Sequence, residues 1–599
     1  MTHATTPNGP GSALSASVRP AQEDGYIDFF GYAAAAESWI FCGWTRGGWS
    51  GDQGTVPVAA HFQSGRLAGE AVACFYPRPD LGNLGQGVVL FLRGPGRAIG
   101  EFAGIEVKIP GDGEAVKLRT VRPVVHLREA DLVQRTRATL LTGAGAARSR
   151  LLGLLSRQVF AGTDTLDQLS VPVMFEVDET VLAPPDGLLA MGWFLDPTDS
   201  VASIRIRSGS AASPSIREHW LKTSRQDVLD AVGAKFGLID TRCGFVAYAS
   251  GCVAGDDQLY AEIELRSGET GYKRLPNPVR RGVAAMRRVL ESVVLAPDEI
   301  EAAFDQVLGP PLVAINDARL RRPRPRSEIV FGEPNQQPEC SVIVPLYGRM
   351  DFIMYQLALL SQAEIGRHEL IFVLDDPPRK QELLALAHSA YQRFGLPFRI
   401  IALDENLGFA PANNVGLEYA RGEYLCFLNS DVMPDEPRWL DLMLETLRAD
   451  PGVGVAGALL LFEDGTVQHE GMVYERLPDL GNWPFPIHPN KGRLPVAGPE
   501  LTETEAVTGA CMVLRTELAR ELGGFDEVYA IGDFEDSDLC FKVKQKGLRC
   551  VVDRRARLWH LERQSQVTPD RMWRMYVTLQ NAWVHARRWF TQQLAPPMQ

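Results

Sequence analysis

Tyr424-Leu425-Cys426-Phe427-Leu428-Asn429-Ser430-Asp431 is a short apolar run that stops at three polar residues. A run so short and so uniformly apolar reads as a strand buried on both faces. Three more precede it: Cys340-Ser341-Val342-Ile343-Val344-Pro345, Glu369-Leu370-Ile371-Phe372-Val373-Leu374-Asp375 and Phe398-Arg399-Ile400-Ile401-Ala402-Leu403. Helix-like stretches at 350–363, 379–394 and 411–420 separate them. This alternation predicts an α/β domain whose mostly parallel sheet is covered on both faces. Ligands of such sheets bind at the carboxyl ends of the strands. Asp375 and Asp431 both fall there, so the pattern alone predicts a site at these carboxylates.

Upstream the texture differs. Residues 1–22 are rich in Ser, Thr, Pro, Gly and Ala and read as disordered. From 23 to 165, short β-like runs broken by glycine and proline lead into a helical tail, and 166–320 repeats the order of events. Gly43-Trp44 after one apolar strand is echoed by Gly192-Trp193 after another. Phe75, Asp80 and Gly87-Val88-Val89-Leu90 are echoed by Phe236, Asp240 and Gly244-Phe245-Val246-Ala247. The expectation is a tandem pair of β-sandwich-like modules with helical tails. Trp39, Trp44, Trp49 and Trp193 are candidates for stacking on sugar rings, with core packing as the commoner use of tryptophan. Residues 321–338 read as a Pro/Arg linker, 339–570 as the α/β domain and 571–599 as a C-terminal amphipathic helix.

The whole chain has 599 residues, 45% hydrophobic and 23% charged, which is ordinary globular composition. Its net charge of −13 argues against a nucleic-acid partner, which would need a basic face. Nine scattered cysteines without a CxxC pair read as reduced, buried thiols. No apolar leader and no membrane-length apolar run is present in the sequence, so a cytoplasmic location is expected. Gly452-Val453-Gly454-Val455-Ala456-Gly457 fits a dinucleotide fingerprint but runs straight into Ala458-Leu459-Leu460-Leu461, so it reads as strand.

Residues 340–563 resemble the catalytic domain of glycosyltransferase family 2, of GT-A fold. The resemblance is carried by Ser341-Val342-Ile343-Val344-Pro345, Asp375-Asp376, Asn406-Leu407-Gly408-Phe409-Ala410 and Asn413-Asn414-Val415-Gly416. It continues through Asn429-Ser430-Asp431, Thr508-Gly509-Ala510-Cys511, Gly523-Gly524-Phe525-Asp526-Glu527, Glu535-Asp536-Ser537-Asp538 and Trp559-His560. The subtype is similar to the bacterial rhamnosyltransferase-like branch. The family's usual Asp-x-Asp stands here as Asn429-Ser430-Asp431.

The resemblance implies an inverting transferase that moves a sugar from a nucleotide-sugar donor to a glycan or lipid-linked acceptor in surface polysaccharide synthesis. A departing nucleoside diphosphate develops charge that a divalent cation, Mg²⁺ or Mn²⁺, can neutralise. Asp431 suits a hard cation, and the resemblance adds His560 as a second ligand. It implies donor binding by Asp375, Pro345, Asn406, Gly408, Asn414 and Asn429. It also implies catalysis at Glu535 and Asp536, with Asp536 the base that takes the acceptor proton; simple complementation of a helix N-terminus is the plainer use of these acids. Trp573, Tyr576, Trp583 and Trp589, set among arginines, either face a membrane interface or pack on the catalytic domain. Two rival readings are a degenerate glycan-binding protein and a nucleotidyltransferase. The single glycine of Pro345-Leu346-Tyr347-Gly348-Arg349 weighs against the second.

Overall fold

The computed structural model describes residues 24–34, 36–46, 55–63, 65–96, 101–108, 115–143, 146–155, 160, 162–209, 211–236, 240–253, 258–361, 365–561 and 571–590. The expected disorder at 1–22 and Trp49 lie outside these residues. The chain divides into two compact units.

The first unit holds a closed barrel. Around it run Gly25–Ala33, Ser38–Thr45, Gln86–Arg93, Gly65–Tyr76, Val56–Phe62, Phe102–Lys108 and Ala115–His126. The first and last strands close it by parallel pairing, with Tyr26 opposite Arg119 and Phe30 opposite His126. The expected sandwich is therefore corrected for the first module. Alternating apolar positions serve a sandwich and a barrel equally, and only the long-range pairing of the first strand with the seventh decides between them. Phe30, Trp39, Phe41 and Phe102 fill the interior, with Phe30 and Phe102 centred 4.7 Å apart. Trp39 is thus a core residue, its indole N–H donating to Pro95 O at 3.1 Å. Helices Glu129–Leu141 and Ala146–Leu155 cover an outer apolar patch that includes Ile40, Val89 and Phe91.

Residues 174–274 form two four-stranded sheets. A local feature of the barrel recurs here. In the barrel, Arg78 donates to Asp28 at 2.6 Å and grips Asp80 through two nitrogens at 2.8 and 2.7 Å. Arg225 does the same to Asp178 at 2.5 Å and to Asp227 at 2.8 and 2.7 Å. The echoed glycines also match: a Cβ would fall 2.0 Å from Tyr26 O at Gly43, and 2.0 Å from Glu176 O at Gly192.

The second unit contains the α/β domain. Its eleven-stranded sheet runs in the order Arg326–Phe331, Phe398–Leu403, Glu369–Leu374, Cys340–Leu346, Tyr424–Leu428, Cys511–Arg515, Val453–Leu461, Arg549–His560, Val432–Pro434. Val467–His469 and Leu501–Thr504 attach to the Val453 and Arg549 strands. The four apolar runs of the sequence form the parallel block, backed by helices Phe352–Leu360, Lys380–Phe394 and Phe409–Tyr419. The sheet as a whole is mixed rather than mostly parallel, because four of its pairings are parallel and six antiparallel. Past Leu428, Cys511–Arg515 runs antiparallel to both of its neighbours, Tyr424–Leu428 and Val453–Leu461, and only the pairing of Val453–Leu461 with Arg549–His560 is parallel. Strand order reverses between Cys340–Leu346 and Tyr424–Leu428, so the carboxyl ends of these two border the crevice where an open α/β sheet binds its ligand.

Two expectations about connecting segments change. The presumed linker 321–338 contains Arg326–Phe331, an edge strand that pairs antiparallel with Phe398–Leu403. Its four arginines and two prolines at 321–326 mask the alternating Ile329 and Phe331 that follow. Helix Arg571–Trp589 packs into a core with Gly282–Glu291 and Gly309–Leu320, where Trp573, Tyr576 and Trp583 are buried. The rings that a membrane interface would need are therefore inside the protein. Among the described residues no helix is long and apolar enough to cross a membrane. The nine cysteines are free thiols, and Gly452–Gly457 enters the strand Val453–Leu461 as expected.

Candidate active site

Asp375 ends the strand Glu369–Leu374 and is buried. Its Oδ1 accepts from Leu407 N at 2.6 Å; its Oδ2 accepts from Gly408 N at 2.8 Å and Asn406 Nδ2 at 3.1 Å. The Asn406 amide also donates to Asp375 O at 2.7 Å. Asp375, Asn406 and Gly408 are thus brought together as one turn. Gly408 has φ +96°, and a Cβ there would sit 3.2 Å from the Ile531 backbone, so both conformation and space call for glycine. Burial pushes the Asp375 carboxyl up to about 7, while the Leu407 and Gly408 N–H groups and Arg319 oppose it. Arg319, from helix Gly309–Leu320, donates to Asn406 O at 3.2 Å and closes this turn from behind. Sequence reasoning missed it, because Arg319 lies before the family-like stretch.

Pro345 lies in register with Val373 on the neighbouring strand, beside this turn. Asn414 is different. Its amide donates to Phe525 O at 2.8 Å and to Glu527 Oε1 at 3.1 Å, and its oxygen accepts from Phe525 N at 2.9 Å. Through these bonds the Asn414 side chain holds Phe525 and Glu527.

Asp431 and His560 do converge. Strand Val432–Pro434 pairs with the end of Arg549–His560, and this register puts His560 Nε2 3.4 Å from Asp431 Oδ1. Both residues are nearly inaccessible, at 5% and 8% exposure, and His560 Nδ1 makes no hydrogen bond. Asn429 donates its N–H to Ala510 O at 2.9 Å, and its side-chain oxygen is buried without a partner. A carboxylate and an imidazole this close, beside an unpaired amide oxygen, fit the donor set of a hard or borderline divalent cation. Among the described residues no group of three His, Cys, Asp or Glu could hold a metal, so further ligands would be water or phosphate oxygens.

Asp536 lies in the first turn of helix Glu535–Gln545. Its Oδ2 accepts from Gly509 N at 2.8 Å and its Oδ1 from Ser537 N at 2.7 Å. Burial raises its carboxyl above the usual range, with both N–H groups opposing. Glu535 is buried, its Oε2 unpaired, and burial together with the Asp536 and Asp533 charges pushes its carboxyl well above the usual range. Asp538 serves the fold: it is fully buried and accepts from Tyr529, Arg588 and Trp589 at 3.1, 2.8 and 2.9 Å. Another residue invisible to sequence reasoning is His469, in the insertion 464–506. Its Nε2 accepts from Gly471 N and Thr508 N, both at 3.3 Å, so its Nδ1 carries the proton and donates to His488 Nδ1 at 2.9 Å. Burial holds it well below the ordinary histidine value, and His488, His560 and Lys491 add to that.

Thr508-Gly509-Ala510 therefore ties three parts together: His469 through Thr508, Asp536 through Gly509, and the Asn429-Ser430-Asp431 segment through Ala510. Residues 341–522 match the family described as glycosyl transferase family 2. The chain carries a glycosyltransferase family 2 domain. This glycosyltransferase domain is 32% identical over 233 residues to the O-antigen biosynthesis protein RfbC of Myxococcus xanthus, covering 38% of this chain and 18% of that protein. It is 28% identical over 265 residues to the uncharacterized protein y4gI of Sinorhizobium fredii, covering 43% and 28%. The amylovoran biosynthesis glycosyltransferase AmsB of Erwinia amylovora is 25% identical over 217 residues, 35% of this chain and 66% of that one. The chain thus spans under a third of the length of the first two relatives.

Proposed function

We propose that this chain is an inverting, divalent-cation-dependent glycosyltransferase. It moves a sugar from a nucleotide-sugar donor to a glycan or lipid-linked acceptor in bacterial surface polysaccharide synthesis. The observation that carries this reading is the shared 508–510 turn, which joins a carboxylate base to the Asp431–His560 pair. The O-antigen and amylovoran relatives support the polysaccharide context.

In this reading the Asp375–Asn406–Gly408 turn, with Pro345 and Asn429, borders the donor nucleotide, and Asp431 and His560 hold the cation. When bound, the cation supplies Lewis-acid neutralisation of the leaving diphosphate. Asp536 takes the proton from the acceptor hydroxyl as that oxygen attacks the anomeric carbon. Its raised affinity for a proton brings it nearer the working pH, where a general base is most effective. A single base and one displacement give inversion. Glu535, buried beside Asp536, is the neighbouring acid whose carboxyl burial and the Asp536 charge push upward.

The test is nucleotide release and sugar transfer by the purified chain with UDP-, dTDP- and GDP-sugars, with Mg²⁺, Mn²⁺ or EDTA. Release of one nucleoside diphosphate that needs the metal and is lost in Asp431→Ala is the expected result. Silence with every donor overturns the reading in favour of a glycan-binding protein.

A further inference from the structure

The segment leading into the base helix has an unfavourable backbone. Ile531, Asp533 and Phe534 have φ of +67°, +84° and +76°, the left-handed region that non-glycine residues avoid. Ile531 is β-branched, for which this region is least accessible. Strain of this kind persists only where the surroundings over-determine the conformation. Glu535 and Asp536 follow directly.

What holds the segment comes from far along the chain. Asn581, in the middle of helix Arg571–Trp589, is fully buried. Its Oδ1 accepts from Ala530 N at 2.9 Å. Its Nδ2 donates to Ala530 O at 3.1 Å, Gly532 O at 2.7 Å and Asp533 O at 3.2 Å. One amide thus serves four backbone groups of a segment that makes little regular structure of its own. Three residues earlier on the helix, Thr578 Oγ1 donates to Asp533 Oδ2 at 2.7 Å. The opposite side of the segment is held by Phe409 N, which donates to Ile531 O at 2.8 Å. Farther along the same helix, Arg588 and Trp589 bind Asp538, one turn into the base helix.

We propose that Asn581 is a positioning residue, which clamps 530–533 in its left-handed backbone and thereby sets the place of Asp536 relative to the acceptor. The proposal rests on the transferase reading for its catalytic half; the clamp itself does not. An amide suits the task because it offers an acceptor to one N–H and two donors to the carbonyls. Aspartate has the same shape but would turn an oxygen toward three carbonyl oxygens. The donor side of the site has its own fastening, the three bonds to the Asp375 carboxylate, although Gly408 and Phe409 abut the clamped segment at Ile531.

The experiment compares full-length wild type, Asn581→Ala, Asn581→Asp and Trp583→Phe. The last loses the indole bond to Asp305 at 2.6 Å on the same helix, away from the segment. Amide hydrogen exchange over 530–536 and steady-state kinetics are read on each. The expected result is faster exchange in both Asn581 variants, with kcat down roughly tenfold to a hundredfold and donor KM near wild type, a cost typical of a slightly misplaced catalytic group. Trp583→Phe keeps slow exchange over 530–536 and wild-type kcat. If Asn581→Ala does not fold, Asn581→Asp decides by the same readings. Exchange in the Asn581 variants no faster than in Trp583→Phe overturns the clamp, and unchanged kcat with faster exchange overturns the link to Asp536. If wild type transfers no sugar at all, the transferase reading fails, and exchange over 530–536 alone upholds or removes the clamp.

Discussion

Gly509 donates its backbone N–H to Asp536 Oδ2 at 2.8 Å, and a Cβ on Gly509 would lie 3.3 Å from the Asp536 Cβ. The carboxylate is therefore held from the side as well as by its own helix. Asp536→Asn preserves an oxygen for this bond while removing the basic group. Transfer should fall roughly 10²–10⁴-fold, the usual worth of general-base catalysis, with the melting temperature little changed. Activity within tenfold of wild type would remove Asp536 as the base.

The Asp431–His560 pair predicts a graded loss of metal. Asp431→Ala should abolish metal-dependent nucleotide release. His560→Ala should weaken Mn²⁺ binding by at least the roughly 10–100-fold that losing a supporting group costs a metal site. Calorimetric titration of Mn²⁺ in the presence of a nucleoside diphosphate reads this directly. Equal affinity in wild type and His560→Ala would exclude the imidazole as a ligand.

Asp375 predicts a pH signature. Its carboxyl is pushed up to about 7 by burial. From about pH 4, the ordinary aspartate value, up to 7, the unfolded chain has released a proton that the folded chain keeps. Stability from this group is thus full at low pH and declines as pH rises through that window. Asp375→Asn has no such equilibrium, so wild type should lose ground to the variant between pH 4 and 7 and run parallel to it above. Urea midpoints measured across pH check this, and a constant difference would contradict the raised value.

Beneath the sheet, Arg399 donates to Glu369 Oε2 at 2.6 Å with both side chains about 2% exposed. Glu369 Oε1 also accepts from Ser341 Oγ at 2.6 Å and Arg421 N at 2.7 Å. Glu369→Ala leaves a buried guanidinium short of its partner and should cost about 3–5 kcal/mol. Chemical denaturation tests it, and a loss below about 1 kcal/mol would show that Glu328, 3.1 Å from Arg399 Nη1, and Tyr419 O, 2.8 Å from Nη2, suffice.

Local pattern carried the parallel block well, because a strand such as Tyr424–Leu428, buried along its whole length, takes apolar or aromatic residues throughout. It also placed Asp375 and Asp431, since a polar residue ending such a strand has few roles open to it. What escaped depends on partners distant in sequence. The partners of Asn414 lie at Phe525 and Glu527. Arg319 and Asn581 fall outside any recognisable motif, and a single amide in a helix gives no signal until the helix is docked. Barrel closure by Gly25–Ala33 against Ala115–His126 is likewise a pairing that periodicity does not encode.

Arg326–Phe331 occupies the outer rim of the eleven-stranded sheet, bonded residue for residue to Phe398–Leu403. A fragment trimmed to begin at Glu339 would strip that cover from a strand with four consecutive apolar residues, Ile400-Ile401-Ala402-Leu403, and bare its row of N–H and C=O groups. Such a rim is a template for another chain. Truncation at the apparent motif boundary would thus yield a self-associating protein, whereas a cut before the helix Gly309–Leu320 would keep both the cover and Arg319. Where a sequence match begins is therefore a poor guide to where this α/β fold can be cut.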